Sequence, residues 1–301
     1  MENYFITVHH TNTSIINMTV DFENLSEPYF IGEVGINHNG DMQIAKKLMD
    51  AVFACNWHCV KFQKRNPDIC VPEKQKNVMR DTPWGQLTYL EYKYKVEFGK
   101  KEYDYIDKYC KEKPLDWTVS IWDLDSLNFI LDYDLPFIKI PSAMITNLEL
   151  LKEAANTDMT LIMSTGMSTF EDIDTAVNLI IKYGAKPILM HTNSSYPTPS
   201  SELNLNIIGA LKKRYDCIIG YSGHEFGLEP TVIAVALGAQ VIERHITLSH
   251  NLWGTDQKAS LEVHAMDMLK KRVNDIGKMM GSSIKEVTPS EISIREKLRM
   301  Q

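Results

Sequence analysis

No stretch of this 301-residue chain approaches the roughly 20 consecutive apolar residues of a membrane span. Residues 1–21 lack the basic region and apolar run of a secretory signal, so a cytoplasmic protein is expected. Cysteine is sparse and odd in number: Cys55, Cys59, Cys70, Cys110 and Cys217, with no CxxC pair. That excludes a disulfide framework and a cysteine-based zinc site, and predicts reduced, mostly buried thiols. Blocks of positive charge are missing too. The formal net charge is −7, and Lys46-Lys47, Lys100-Lys101 and Lys212-Lys213-Arg214 stand isolated, as solvated helix faces do. A generic nucleic-acid surface is therefore excluded. Low-complexity tracts are absent, and no repeat exists beyond the alternation described next.

Eight short apolar runs rich in β-branched residues recur at 29–34, 58–62, 117–119, 137–140, 160–163, 187–190, 217–221 and 241–246. Between them lie segments with helical periodicity, such as 41–56, where Ile44, Ala45, Leu48, Val52 and Phe53 form one stripe and Asp41 can cap. Eight strands alternating with helices predict an α/β fold, a (β/α)8 barrel, over residues 29–281. Residues 1–28 alternate around a Thr-Asn-Thr-Ser turn and predict an N-terminal β-hairpin extension able to plug the barrel's bottom. Residues 282–301 read as a polar C-terminal arm or short helix. The proline-punctuated stretch 65–85 after the second strand reads as a long irregular loop, of the kind that forms lids.

In such barrels the C-terminal strand ends build the active site. Here those ends carry Glu33, Lys61 with Gln63, Ser120, Lys139 with Ser142, Ser164, His191, Ser222 with His224, and His245. A lysine inside an apolar strand needs an anionic partner, either substrate or an internal carboxylate. One such lysine is commonly a structural ion pair; two, on separate strands, favour an anion site. Ser164-Thr165-Gly166-Met167 offers hydroxyls and free amides to phosphate or carboxylate, though Ser-Thr-Gly is also a common capping turn. His224 and His245 follow neighbouring strands and can approach one divalent ion, leaving positions for water and substrate. The alternative is two unrelated histidines, one in the core and one a general acid or base. The 33–40 segment, Glu-Val-Gly-Ile-Asn-His-Asn-Gly, is either a glycine-enabled ligand turn before a helix N-terminus or an ordinary βα turn. Asp256, in Trp-Gly-Thr-Asp, and the polar run 191–196, which includes Asn193 and Tyr196, suit a polyhydroxy ligand.

These pieces, in this order and spacing, resemble the sialic acid synthase (N-acetylneuraminate synthase) family over roughly 29–281. The matching motifs are Gly32 to Asp41, Val60-Lys61-Phe62-Gln63, Lys139-Ile140-Pro141-Ser142, Ser164 to Met167, His191 to Pro199, Gly220 to His224, Ile242 to His245 and Gly254 to Gln257. The resemblance implies a transferase that condenses phosphoenolpyruvate with an N-acetylated sugar aldehyde, such as N-acetylmannosamine, releasing phosphate and a nine-carbon 2-keto acid. It implies a divalent metal, usually Mn, with Mg or Co as alternatives, held by His224 and His245. Lys61, Lys139, Ser142, Ser164 and Ser222 would hold phosphoenolpyruvate. Glu33, Gln63, Tyr196 and Asp256 would address the sugar and the attacking water. A homodimer is implied as well.

Three departures from the family pattern stand out. Members usually carry a C-terminal antifreeze-like domain that lends an arginine to the partner subunit's sugar site. This sequence ends near the start of that linker, so either the sugar is recognised differently or a separate antifreeze-like protein supplies the piece. Met144 stands where many relatives have glutamate, and Ser120-Ile121 where they have Ser-Thr. Two other readings remain: a metal-dependent barrel aldolase or lyase that does not use phosphoenolpyruvate, and an inactive sugar-binding descendant.

Overall fold

The computed structural model describes residues 20–299. Eight parallel strands pair in sequence order: β1 (Tyr29–Gly35), β2 (Cys59–Lys64), β3 (Asp116–Ile121), β4 (Ile138–Ile140), β5 (Leu161–Ser164), β6 (Pro187–Thr192), β7 (Ile219–Gly223) and β8 (Val241–Thr247). The ring closes where β1 pairs with β8, Glu33 standing beside His245 in register. A closed sheet leaves no edge, and every residue of β1 and β8 is buried, as a sheet covered on both faces demands. The helices that cover it are α1 (Met42–Ala54), α2 (Lys100–Glu112), α3 (Leu124–Ile130), α4 (Leu148–Ala155), α5 (Phe170–Lys182), α6 (Ile207–Arg214), α7 (Glu229–Ala236) and α8 (Val263–Met280).

Strand parity sorts the side chains into two cores. Phe30, Val60, Phe62, Ile138, Leu189 and Ile242 face outward and join the large core beneath the helices. Ile31, Cys59, Phe137, Ile162, Ile188 and Val241 face inward and fill the barrel's lower half with apolar surface. Two residues further along the same strands the inward positions turn polar: Glu33, Lys61, Lys139, Ser164 and Glu243 are all buried there. The barrel is thus a greasy floor under a charged layer.

The floor is sealed from below. Phe22, in the turn Phe22–Asn24, packs edge-on against Tyr29 at 5.2 Å and Phe137 at 5.8 Å between ring centres. The expected N-terminal hairpin falls largely on residues outside the described ones; within them, Val20, Phe22 and Leu25 close the floor. The 65–85 stretch differs from its expectation. It holds two helical turns, Pro67–Cys70 and Glu73–Lys76, and the first strand of an antiparallel hairpin, Met79–Thr82 with Gly85–Thr88. Asn66 caps the first turn and Pro67 begins it, so the prolines start local structure instead of preventing it. The helix Tyr89–Val96 follows, and Gly99 stands at the N-cap of α2 just beyond it. Beyond α8, Pro289–Leu298 forms an exposed helix.

Phe22→Ala opens a hole in a packed floor, at a cost of about 3 kcal/mol. For a chain of this size the thermal midpoint drops by several degrees. Scanning calorimetry that finds the midpoint unmoved would show that Phe22 does not close the barrel.

Candidate active site

The charged layer opens into a cavity of about 210 Å³ at the C-terminal mouth, lined by Glu33, Lys61, Lys139, Glu243, His224 and His245 among others. A larger hollow of about 750 Å³ between Asp174 and Cys217 lies among the helices, and none of these six residues lines it.

At the base, the two lysines share carboxylates. Lys61 Nζ lies 2.5 Å from Glu33 Oε2 and 3.5 Å from Glu243 Oε1, and donates to Ser120 Oγ at 2.7 Å. Lys139 Nζ lies 3.1 Å from Glu243 Oε2 and donates to Ser164 Oγ at 2.8 Å. Ser222 Oγ donates to Glu243 Oε1 at 3.3 Å. Burial alone would raise both carboxylates, yet they separate. The ammonium groups of Lys139 and Lys61 outweigh burial at Glu243 and hold it down near 2. At Glu33, burial joined by the negative charge of Glu243 outweighs Lys61, and the group is pushed up to about 7. Burial lowers Lys139, while Glu243 and Glu33 overcome burial at Lys61 and raise it.

Above this base stand the imidazoles. Their ring centres are 5.3 Å apart. His224 Nδ1 lies 2.6 Å from the Asn193 carbonyl, which fixes that nitrogen as the donor and leaves the Nε2 lone pair facing Tyr196 Oη at 2.9 Å. His245 Nδ1 is buried without a hydrogen-bond partner, 3.9 Å from Asp256 Oδ2. Burial, together with each other's proximity at His224, holds the pair near 3 and 4, so both are neutral at neutral pH. Neutral imidazoles are a donor set a divalent cation takes, and at His224 it would displace the Tyr196 hydroxyl from Nε2. Among the described residues no group of three or more histidines, cysteines or carboxylates is arranged to hold a metal ion.

The loops hold these groups in place. Arg244, the outward neighbour of Glu243 and His245, is fully buried and pairs with Glu225 at 2.9 Å, anchoring the loop that carries His224. Gly166 donates its N–H to Ser142 Oγ at 3.0 Å, and a Cβ there would lie 2.7 Å from that oxygen, so the glycine permits the contact. Gln63 Nε2 donates to Glu33 Oε1 at 2.8 Å. Asn193 differs from its expected part: its side chain is spent on the Glu202 carbonyl and the Ser195 N–H, and only its backbone serves the site. Of the 33–40 turn, Glu33 alone lines the cavity. Asn37 ties β1 to the Ile246 carbonyl and Ser260 Oγ, His38 stacks on Phe98 at 3.9 Å, and Asp41 itself occupies the α1 N-terminus. His191 is likewise structural, bonded to the Leu203 carbonyl. Glu243 is the functional residue that the strand-end reading missed, although it shares inward parity with His245 and answers the demand of two buried lysines for a carboxylate.

Comparison with known proteins places the chain in a family. The NeuB family model matches residues 48–285. The N-acetylneuraminate-9-phosphate synthase of Drosophila melanogaster is 36% identical over 269 residues, covering 87% of this chain and 71% of that protein. The N,N'-diacetyllegionaminic acid synthase of Campylobacter jejuni is 36% identical over 272 residues, covering 89% and 81%. The crystal structure of N-acetylneuraminic acid synthetase from Leptospira borgpetersenii superposes with a TM-score of 0.80 at 31% identity, over 91% of this chain and 93% of that one. The barrel, its charged base and its relatives make this chain a member of the NeuB family.

Proposed function

We propose that this chain is a phosphoenolpyruvate-dependent synthase of nonulosonic acids: it joins phosphoenolpyruvate to the aldehyde of an N-acetylated hexose and releases phosphate. The observation that carries this reading is the pair of buried ammonium groups, Lys61 and Lys139, set directly beneath two neutral imidazoles.

In this reading Lys61 and Lys139, with the hydroxyls of Ser142, Ser164 and Ser222, bind the phosphate and carboxylate of phosphoenolpyruvate. Water is excluded around them, which strengthens each charge-assisted bond. His224 and His245 hold a divalent cation, manganese in our reading. When bound, the cation supplies Lewis-acid polarisation of an aldehyde oxygen. Gln63, Tyr196 and Asp256 orient the sugar so that its aldehyde carbon meets C3 of phosphoenolpyruvate. As the new C–C bond forms, positive charge develops at C2, beside the carboxylate of Glu33. Water then adds at C2, and Glu33 takes its proton, a role suited to a group poised near 7. The resulting tetrahedral carbon expels phosphate, and the C2 ketone remains. Lys61 and Lys139 stabilise the departing phosphate.

Glu33→Gln removes the base while keeping the hydrogen-bonding shape. It lowers kcat by about 10²–10⁴-fold in a phosphate-release assay with phosphoenolpyruvate, manganese and a panel of N-acetylated hexoses. In the unaltered chain, activity falls as pH drops through about 7, because Glu33 must be unprotonated to accept. Full turnover by the Gln variant would remove Glu33 from the chemistry. His245→Ala abolishes manganese binding measured by calorimetry in the absence of substrates; unchanged affinity would contradict the assigned ligand pair.

A further inference from the structure

Tyr196 stands in the segment that follows β6, and its neighbours tie that segment to the loop carrying His224. His224 Nδ1 meets the Asn193 carbonyl at 2.6 Å, and Thr198 donates its N–H to the His224 carbonyl at 3.0 Å. Thr198 also pairs with Glu225 as a parallel bridge. The turn between them is held from inside. Ser195 donates its N–H to the Asn193 side chain at 2.9 Å, and Thr198 Oγ1 donates to the Ser195 carbonyl at 2.8 Å. The backbone on both sides of Tyr196 is therefore fixed to the His224 loop. Tyr196 itself is 43% exposed at the mouth, with its side chain on the cavity wall.

The phenol lies against both imidazoles. Its ring stacks on His224 at 4.1 Å between centres and meets His245 edge-on at 5.5 Å. Because Nδ1 of His224 is spent as a donor to the Asn193 carbonyl, Nε2 carries the free lone pair of that ring. The Tyr196 hydroxyl donates to it at 2.9 Å, its one hydrogen bond among the described residues. The two imidazoles are thus unequal. His224 offers a lone pair that a neighbouring side chain already uses, whereas His245 Nδ1 has no hydrogen-bond partner.

Resting on the ligand pair and the synthase reading above, we propose that Tyr196 is a positioning residue that couples the cation to the acceptor sugar: its hydroxyl is exchanged for the cation at His224 and thereby becomes a donor to the sugar. One lone pair serves one partner at a time, so hydroxyl and cation compete for Nε2. With the backbone fixed on both sides, the exchange is a rotation of the exposed side chain and leaves the His224 loop in place. Once off Nε2, the hydroxyl is a donor at the cavity wall without an acceptor, and the oxygens of an N-acetylated hexose supply one. The cation then tightens sugar binding, and by linkage the sugar tightens cation binding by the same factor.

Calorimetric titration with manganese, without substrates, compares the full chain with Tyr196→Phe, which keeps the stacked ring and removes the hydroxyl. The Phe variant binds manganese about two- to tenfold more tightly, the worth of one neutral hydrogen bond that no longer has to be broken. The direction separates this role from a structural one, because a loosened loop weakens binding and a lost competitor strengthens it. Equal affinity overturns the exchange. Weaker affinity in the variant overturns it as well, since the phenol would then assist the cation. A second titration uses a panel of N-acetylated hexoses with and without manganese. Manganese tightens binding of at least one sugar to the unaltered chain, and the gain shrinks in the Phe variant. A gain of the same size in both proteins, or no gain with any sugar, overturns the coupling. Neither titration depends on turnover. A chain that shows the exchange and the coupling but condenses no sugar fails as a synthase and keeps this role for Tyr196. A chain in which neither protein binds manganese loses the ligand pair and the exchange together.

Discussion

Two ammonium groups share the inside of one barrel, and the carboxylate of Glu243 between them is what holds them there. Like charges about 4 Å apart at an effective dielectric of about 20 repel by about 4 kcal/mol, before any cost of leaving water. Glu243 touches both lysines, and Glu33 touches one, so the layer is nominally neutral when no substrate is bound. A neutral, fully paired layer can sit on an apolar floor. It also places two ammonium groups, each backed by a serine, on the wall of the cavity at the mouth. The catalytic potential of the site follows from that constraint. Glu243 stays ionised because it serves two cations, and its charge is what lifts Glu33 toward neutrality. One carboxylate is kept as a structural anion so that the other can exchange a proton near pH 7.

The apolar and polar halves of the barrel serve separate ends. Phe22, Tyr29 and Phe137 close the bottom with aromatic edges, so the interior has no second opening through them. The outward-facing Arg244–Glu225 pair, buried beneath α7, sets the loop that carries His224. Rigidity below and around the site thereby becomes positional accuracy at the imidazoles, which in the proposed reading share a cation.

Much of this was legible in the chain. Runs of β-branched residues mark parallel strands because a sheet buried on both faces tolerates little else. The helical stripes between them leave few topologies. Lys61 and Lys139 announced a site because lysine interrupts those runs at a cost that chemistry must repay. Glu243 was harder to read: it sits in a Glu-Arg-His string whose three polar residues look alike in sequence. Only strand parity sends Glu243 and His245 inward and Arg244 outward, and only closure of the ring brings Glu243 to lysines over a hundred residues away. The asparagines and histidine of the 33–40 turn look catalytic by composition, but they satisfy backbone groups where β1 meets the β8 loops. The residues before Val20 lie outside the described structure, and the predicted hairpin lies largely with them.

The central claim is that the paired lysines and the paired imidazoles serve one ligand-filled cavity. A crystal soaked with manganese and phosphoenolpyruvate tests it directly through anomalous scattering. The account predicts a single manganese peak between His224 and His245, with the phosphate of phosphoenolpyruvate on Lys61 and Lys139 within the same cavity. Manganese bound elsewhere, or phosphoenolpyruvate density absent from the lysines at saturating concentration, would contradict it.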